Sequence, residues 1–281
     1  MTREEVKIGF IGFGNMGQAI ADGFLYTHTL KPSQMCACAV NYEKLKKNTE
    51  KRGMKACRDS QEVVEQADIV VLAVKPWMAG AVLEPVKGLL AGKILWSVAA
   101  GVMFDDYEAM LAPGTHHISA IPSTPAAVGE GIYTCEKKHS LTEEEYALFH
   151  SLLSAIGIVA EVETQKVNIA NTISGCGPAF ASMFIEALGD AGVMYGLTRP
   201  QAYELAAGMI AGTGKLMLHQ GKHPGQMKDD VCSPGGTTIR GVAALERAGL
   251  RTAVIQAVEA AMDRLAPLLR RRHHYPGCGS S

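Results

Sequence analysis

Residues 6–25 read Val6-Lys7-Ile8-Gly9-Phe10-Ile11-Gly12-Phe13-Gly14-Asn15-Met16-Gly17-Gln18-Ala19-Ile20-Ala21-Asp22-Gly23-Phe24-Leu25. The first six, apolar apart from Lys7, read as a buried strand, and 18–25 carry a helical pattern. Between them stand three glycines at G-x-G-x-x-G spacing, in the order a dinucleotide fingerprint requires. Gly12 permits the tight turn, Gly14 lets the main chain approach a pyrophosphate, and Gly17 lets the helix pack close to the strand. A phosphate would lie over the helix N-terminus, where unpaired N–H groups and the helix dipole favour negative charge. Phe13, Asn15 and Met16 complete the candidate cofactor-binding loop.

The same alternation continues outward from this unit. Apolar runs at 35–40, 68–74, 94–98 and 116–120 are interleaved with helical patterns at 42–52, 78–90 and 104–111. Strands alternating with helices predict a parallel sheet covered on both faces, with ligands outside the carboxyl ends of the strands. Two loops at those ends, Ala73-Val74-Lys75-Pro76 and Ala99-Ala100-Gly101, are small enough to admit a cofactor against the backbone, although Lys75 reads equally well as an ordinary surface lysine.

After Ile121-Pro122-Ser123-Thr124-Pro125 the pattern turns helical. Capping boxes open helices at Thr142 and Thr198, and 179–195 and 251–272 are rich in Ala, Leu and Met at helical spacing. The predicted fold class is α/β: a Rossmann-type parallel-sheet domain over 1–162, then an all-α domain over 163–281 with a disordered tail from about 273. The alanine-rich helix faces suit subunit association, and a monomeric core accounts for them nearly as well.

A second anion receptor lies in that helical half, Ser233-Pro234-Gly235-Gly236-Thr237-Thr238. Consecutive glycines let neighbouring amides converge on a carboxylate, proline fixes the approach, and the hydroxyls add donors.

Composition narrows the function classes. A chain of 281 residues, 47% hydrophobic, is long enough for two cores, and a net charge of -1 gives no electrostatic case for nucleic acid or membrane partners. Its one basic cluster, RRRHH at 270–274, falls in the tail. The charged start and the lack of any long apolar run lead to a cytoplasmic expectation. Seven cysteines, at 36, 38, 57, 135, 176, 232 and 278, lack paired C-x-x-C spacing, so reduced thiols and no metal are expected. Cys36 and Cys38 alternate on one strand and therefore share a face.

Strand two ends near Val40-Asn41, where an NAD-specific fold places an acid to bond the ribose 2′-hydroxyl. Asn41 does not repel a 2′-phosphate, and Lys44, Lys46 and Lys47 follow, so the chemistry leans to NADPH while NADH use stays open.

Taken together these motifs resemble the pyrroline-5-carboxylate reductases. The resemblance spans nearly the whole chain: 8–17, 73–76, 99–101, Ser174-Gly175-Cys176-Gly177-Pro178-Ala179-Phe180, His223-Pro224-Gly225-Gln226 and above all Asp230-Val231-Cys232-Ser233-Pro234-Gly235-Gly236-Thr237-Thr238-Ile239. It implies NAD(P)H-dependent reduction of the cyclic imine 1-pyrroline-5-carboxylate to L-proline, the last step of proline biosynthesis. It also implies a homodimer formed by the helical domain, often built into a homodecamer. By the same resemblance, Ser233 and the amides of Gly236 and Thr237 hold the substrate carboxylate, Thr238 bonds the ring nitrogen as the catalytic residue, and Val231 and Asn171 join the substrate-binding set. The chain departs from the family at Ser123, where Asn is common; at His117-Ile118-Ser119, where an Arg is frequent; at Gly221-Lys222, where relatives can carry an acid; and at Cys176, where serine is frequent. Two other readings remain at this stage. Lys166, Asn168 and Asn171 faintly echo a β-hydroxyacid dehydrogenase, and a non-catalytic NADPH sensor would use only the first receptor.

Overall fold

The computed structural model describes residues 2–270, so 271–274 of the basic run, Cys278 and the tail expected from about 273 lie outside the described residues. Two compact units divide the chain, Met1–Gly175 and Cys176–Ser281.

In the first unit, strands and helices alternate as β1 (Ile8–Ile11), α1 (Asn15–Tyr26), β2 (Met35–Cys38), α2 (Tyr42–Glu50), β3 (Lys55–Ala56), α3 (Ser60–Gln66), β4 (Ile69–Leu72), α4 (Ala79–Leu83), β5 (Ile94–Ser97), α5 (Phe104–Met110) and β6 (His116–Pro122). They are followed by β7 (Gly131–Glu136), α6 (Glu143–Ser154), β8 (Gly157–Val162) and α7 (Val167–Asn171). The eight strands form one sheet in the order β3-β2-β1-β4-β5-β6-β7-β8. From β3 to β6 every pairing is parallel, with Ile8 of β1 opposite Met35 on one side and Ile69 on the other. This is the Rossmann order, and the crossover from β1 outward in both directions opens a crevice at the carboxyl ends of β1 and β4.

Side chains alternate between the two faces because strands have a period of two. Phe10, Ala37, Ile69, Val71 and Trp96 pack with Ile20 and Phe24 of α1 and Phe149 of α6. On the opposite face Ile11, Cys36, Cys38, Val70 and Leu72 pack with Val63 of α3, Leu83 of α4 and Tyr107 of α5. The two cysteines thus share a core face, as their spacing predicts. Phe24 is fully buried, and burial of such a ring contributes about 2–3 kcal/mol. Trp96 settles its polar atom by donating Nε1–H to the Ala120 carbonyl at 2.7 Å. Helix α1 lies flush on the 3₁₀ segment Thr124–Val128: a Cβ at Gly23 would stand 2.2 Å from the Ala126 carbonyl oxygen.

The structure corrects three sequence expectations. The segment after Pro125 is not purely helical, since β7 and β8 extend the sheet, β7 antiparallel to β6 and β8 parallel to β7. The predicted helix over 78–90 breaks into α4 and a 3₁₀ turn, Lys87–Leu89, with Pro85 between them; a proline there removes a donor and clashes with the preceding turn. The short α3, capped by Asp59, was not anticipated. Both predicted capping boxes are present, at Thr142 with Glu145 and at Thr198 with Gln201.

The second unit holds α8 (Gly177–Met194), α9 (Arg199–Gln220), α10 (Pro224–Asp230), α11 (Thr237–Arg247) and α12 (Leu250–Arg270). Helices α8 and α9 approach closely because small residues meet large ones: a Cβ at Gly189 would fall 2.3 Å from the Tyr203 ring. Within the chain these helices leave Met183, Met194, Tyr195, Leu205 and Leu218 more than half exposed. Apolar surface on this scale is the mark of a face built for association. No helix among the described residues is long and apolar enough to cross a membrane.

Candidate active site

At the carboxyl end of β1 the three fingerprint glycines meet three different surroundings. Gly12 has φ +91°, and a Cβ there would lie 2.5 Å from the Ala73 carbonyl oxygen. Gly17 is sealed as well, its imagined Cβ 2.9 Å from the Gly12 carbonyl. At Gly14, by contrast, a Cβ would meet nothing within 4 Å. Gly14 caps α1 without any side-chain hydrogen bond, and no acidic residue stands in the first turn. An uncapped, acid-free helix end beneath an open glycine has the chemistry to cradle a pyrophosphate.

Neighbouring strand ends complete the cradle. Gly12 donates its N–H to the Cys38 carbonyl at 2.9 Å, Ala73 donates to Ile11 at 2.8 Å, and Val98 donates to Leu72 at 3.2 Å. The ends of β2, β1, β4 and β5 are thereby tied in a row, which brings together the loops at 12–17, 41, 73–76 and 99–101. Asn41 caps α2, its Oδ1 accepting the Lys44 N–H at 2.9 Å. With Oδ1 turned to the helix end, the Nδ2 hydrogens are left as donors for a ligand. Lys75 is exposed, while Ala73, Val74 and Pro76 are half-buried and Ala99 is buried. Ala99 donates to the Ser97 hydroxyl, which also bonds the Tyr107 hydroxyl. Gly101 takes φ +90°, turning the chain toward α5.

Two supports of this cradle carried no signal in the sequence. Arg52 grips Asp22 of α1 through Nε and Nη2 at 2.5 and 2.7 Å and lies 5.6 Å from the Phe13 ring centroid. The pair braces the buried side chain of Phe13 beneath the glycine loop. Glu136, 1% exposed on β7, accepts the Phe104 N–H at 2.9 Å and the Thr164 hydroxyl at 2.7 Å. It fixes the start of α5, three residues beyond Gly101. A buried acid in an apolar strand could not be assigned a partner from sequence.

Ser123, which stands where relatives commonly have Asn, is buried and accepts the Ile132 N–H at 2.9 Å. Here it secures the β6–β7 connection. Asn171 ends α7, half-buried, with its Oδ1 3.2 Å from where a Cβ of Gly175 would be.

The loop at 231–238 belongs to the second unit. Gly236 donates to the Ser233 carbonyl at 3.0 Å, closing a turn with Pro234 and Gly235 at its centre, and Gly235 takes φ +69°. Proline followed by a left-handed glycine is the chemistry of a type II turn. The Gly236 amide, expected to hold the substrate carboxylate, donates within the turn, and Thr237 and Thr238 open the first turn of α11. That turn has no side-chain cap and no acidic residue. A Cβ at Gly236 would lie 2.5 Å from Ser233 Oγ, so the glycine is what lets this hydroxyl stand beside the helix end. Ser233, Thr237, Thr238 and Val231 are all exposed. Just upstream, Asp230 is bonded by Gln226 and by Lys222 at 2.9 Å, which hold its carboxyl below the usual carboxylate range. Lys222 thus offsets Asp230, and Lys228 pairs with the adjacent Asp229 at 2.6 Å.

Two family models match the chain: pyrroline-5-carboxylate reductase dimerisation over 164–268, and NADP oxidoreductase coenzyme F420-dependent over 7–101. The pyrroline-5-carboxylate reductase of Treponema pallidum is 46% identical over 262 residues, covering 92% of this chain and 99% of its own length. This chain belongs to the pyrroline-5-carboxylate reductase family. Its fold agrees with two solved members. The Plasmodium falciparum pyrroline carboxylate reductase with NADP bound gives TM-score 0.82 at 32% identity over 93% of this chain and 97% of that one. The Coxiella burnetii pyrroline-5-carboxylate reductase gives 0.81 at 31% over 94% and 98%. Family membership makes the chain an oxidoreductase and sets aside the hydroxyacid-dehydrogenase and sensor readings.

Proposed function

We propose that this chain reduces the C=N bond of 1-pyrroline-5-carboxylate to give L-proline, the last step of proline biosynthesis, with NADPH as the reductant. The observation that carries the reading is the presence in one chain of two anion receptors of different design. One is an open glycine cradle on the α1 N-terminus with its neighbours at 41, 73–76 and 99–101. The other is the Ser233 turn on the α11 N-terminus.

When bound, NADPH would supply a hydride for the imine carbon. The chain's own work is orientation and proton supply. The Ser233 hydroxyl and the Thr237 and Thr238 amides take the substrate carboxylate, aided by the α11 dipole. Fixing the carboxylate fixes the ring, which turns a loose encounter into an aligned one. The Thr238 hydroxyl donates to the ring nitrogen as it gains electron density, with its proton replaced from water. Val231 and Asn171 are assigned to the same substrate role. Asn41 favours NADPH because its free amide hydrogens can only donate, which suits a phosphate that can only accept.

The same proposal places the division of labour near 162/163, with the dinucleotide domain over 1–162 and the substrate-binding and dimerisation domain over 163–281; the dimerisation model's match over 164–268 supports it. The assembly is a homodimer, with a decamer as its higher form, and sedimentation of the purified protein distinguishes the two. A cytoplasmic location fits the unbridged cysteines at 36, 38, 57, 135, 176 and 232. Following NADPH absorbance with pyrroline-5-carboxylate tests the activity. Thr238→Ala is expected to lower kcat by about tenfold or more while the Kd for NADPH is unchanged; unaltered turnover removes Thr238 from the mechanism.

A further inference from the structure

Strand β3 is only two residues long, yet it sets the position of one cation. Its register with β2 is Cys36 opposite Lys55 and Ala37 opposite Ala56, and the Cys57 N–H extends the pairing by donating to the Ala37 carbonyl at 2.7 Å. Because the pairing is parallel, Arg58 leaves the sheet beside 39–40, on the edge where Asn41 caps α2. Its main-chain N–H is held by Glu62 Oε2 at 2.8 Å, so the residue's origin is fixed. The side chain is exposed, and among the described residues its guanidinium has no ion pair or hydrogen bond.

The neighbouring acids already have partners. Asp59 accepts the Glu62 N–H at 2.8 Å as the cap of α3, and the Glu62 carboxylate pairs with Lys55 at 2.9 Å. Glu62 is held below the usual carboxylate range by the Arg58 N–H first and Lys55 second. Neither acid takes up the Arg58 charge. On the other side of the edge, Lys46 pairs along α2 with Glu50 at 3.9 Å, leaving Lys44 and Lys47 as rival cations on a solvated helix.

We propose that Arg58, rather than the lysines of α2, is the cation that holds the adenosine 2′-phosphate of NADPH, acting with the free amide hydrogens of Asn41. A guanidinium presents a planar fork that matches phosphate oxygens, which a lysine on a mobile stem does not. An arginine close to the position that bonds the ribose 2′-hydroxyl is a usual means of accepting that phosphate in this fold, and Arg58, although it follows β3, leaves the sheet on that edge. The inference rests on the NADPH reading above.

The test uses the full-length protein and two fragments, adenosine 2′,5′-bisphosphate and adenosine 5′-monophosphate, titrated by calorimetry. Arg58→Met is expected to weaken the bisphosphate by about 10- to 100-fold, the range for a charge-assisted bond, and to leave the monophosphate within about twofold. Arg58→Lys falls between. Lys44→Ala costs less than Arg58→Met. The melting temperature of Arg58→Met stays at the wild-type value, because the side chain supports no other group. Equal losses for both fragments, no loss for the bisphosphate, or a larger loss in Lys44→Ala each overturn the assignment. Wild-type protein that binds both fragments equally overturns the 2′-phosphate reading itself, before any variant is made.

Discussion

Replacing each fingerprint glycine by alanine separates folding from cofactor binding, because the three sites differ in what a methyl group would meet. At Gly12 the cost has two parts. The φ of +91° is a left-handed conformation, worth about 1–2 kcal/mol against a residue with a Cβ. The methyl would also stand 2.5 Å from the Ala73 carbonyl, and relieving such overpacking costs about 1–3 kcal/mol. Gly12→Ala is thus destabilised by about 2–5 kcal/mol, a fall in melting temperature of about 2–4 °C for each kcal/mol. At Gly14 the backbone is at φ -78° and the methyl meets open space. Loss of unfolded-state freedom favours alanine there by about 0.4–1 kcal/mol, and the poorer fit of alanine at an N-cap opposes it by a similar amount, about 0.5–1 kcal/mol. The net change is close to zero. On the proposed cofactor site that methyl would occupy the space of the pyrophosphate, so Gly14→Ala is expected to melt with the wild type while its Kd for NADPH rises at least tenfold. Thermal unfolding of the apo protein and fluorescence titration with NADPH read the two effects independently. Wild-type NADPH affinity in Gly14→Ala, or a stability loss there as large as in Gly12→Ala, refutes the reasoning.

Gly236→Ala pushes a methyl against Ser233 Oγ and is expected to raise KM for pyrroline-5-carboxylate well above wild type while the Kd for NADPH stays constant, as steady-state kinetics and titration will reveal. Glu136→Ala strips the partners from the Phe104 N–H and the Thr164 hydroxyl, costing about 3 kcal/mol by denaturant unfolding; Glu136→Gln restores part of it. Burial alone would raise the Glu145 pKa, but the His116 ring and the Thr142 cap hold it below the ordinary 4.5. Its contribution to stability is therefore complete above that value and disappears as pH falls through the lower folded value. In Glu145→Gln the melting temperature is expected to drop less between pH 7 and pH 3 than in the wild type.

The parallel half of the sheet was legible because β1, β2, β4, β5 and β6 are short apolar runs bounded by turn signals. Buried on both faces, such strands advertise themselves. Strands β7 and β8 did not, since the prolines at 122 and 125 read as an irregular connection and the helix that the Thr142 capping box does open dominates the stretch between the two strands. Their strand state depends on pairing with β6, a long-range contact that no window contains. The tight turn at Gly12 and the close packing at Gly17 were readable from order alone. The engagement of the Gly236 amide was not, because a turn hydrogen bond between Ser233 and Gly236 is settled only when Gly235 takes its positive φ. The Asn41 cap could have been read from its place before a helix, and it changes what that amide can offer. Arg52 and Glu136 lie far in sequence from the loops they brace, so only the folded chain connects them to the site.

Helix α1 is seated hard at its middle, where Gly23 rides on the Ala126 carbonyl. A rod pinned in this way cannot roll or slide to suit a different dinucleotide, so its phosphate-facing end is a constant of the molecule. On the proposed cofactor site, a change of coenzyme choice would fall to side chains near the ends of β2 and β3, such as Asn41 and Arg58, with the scaffold itself untouched.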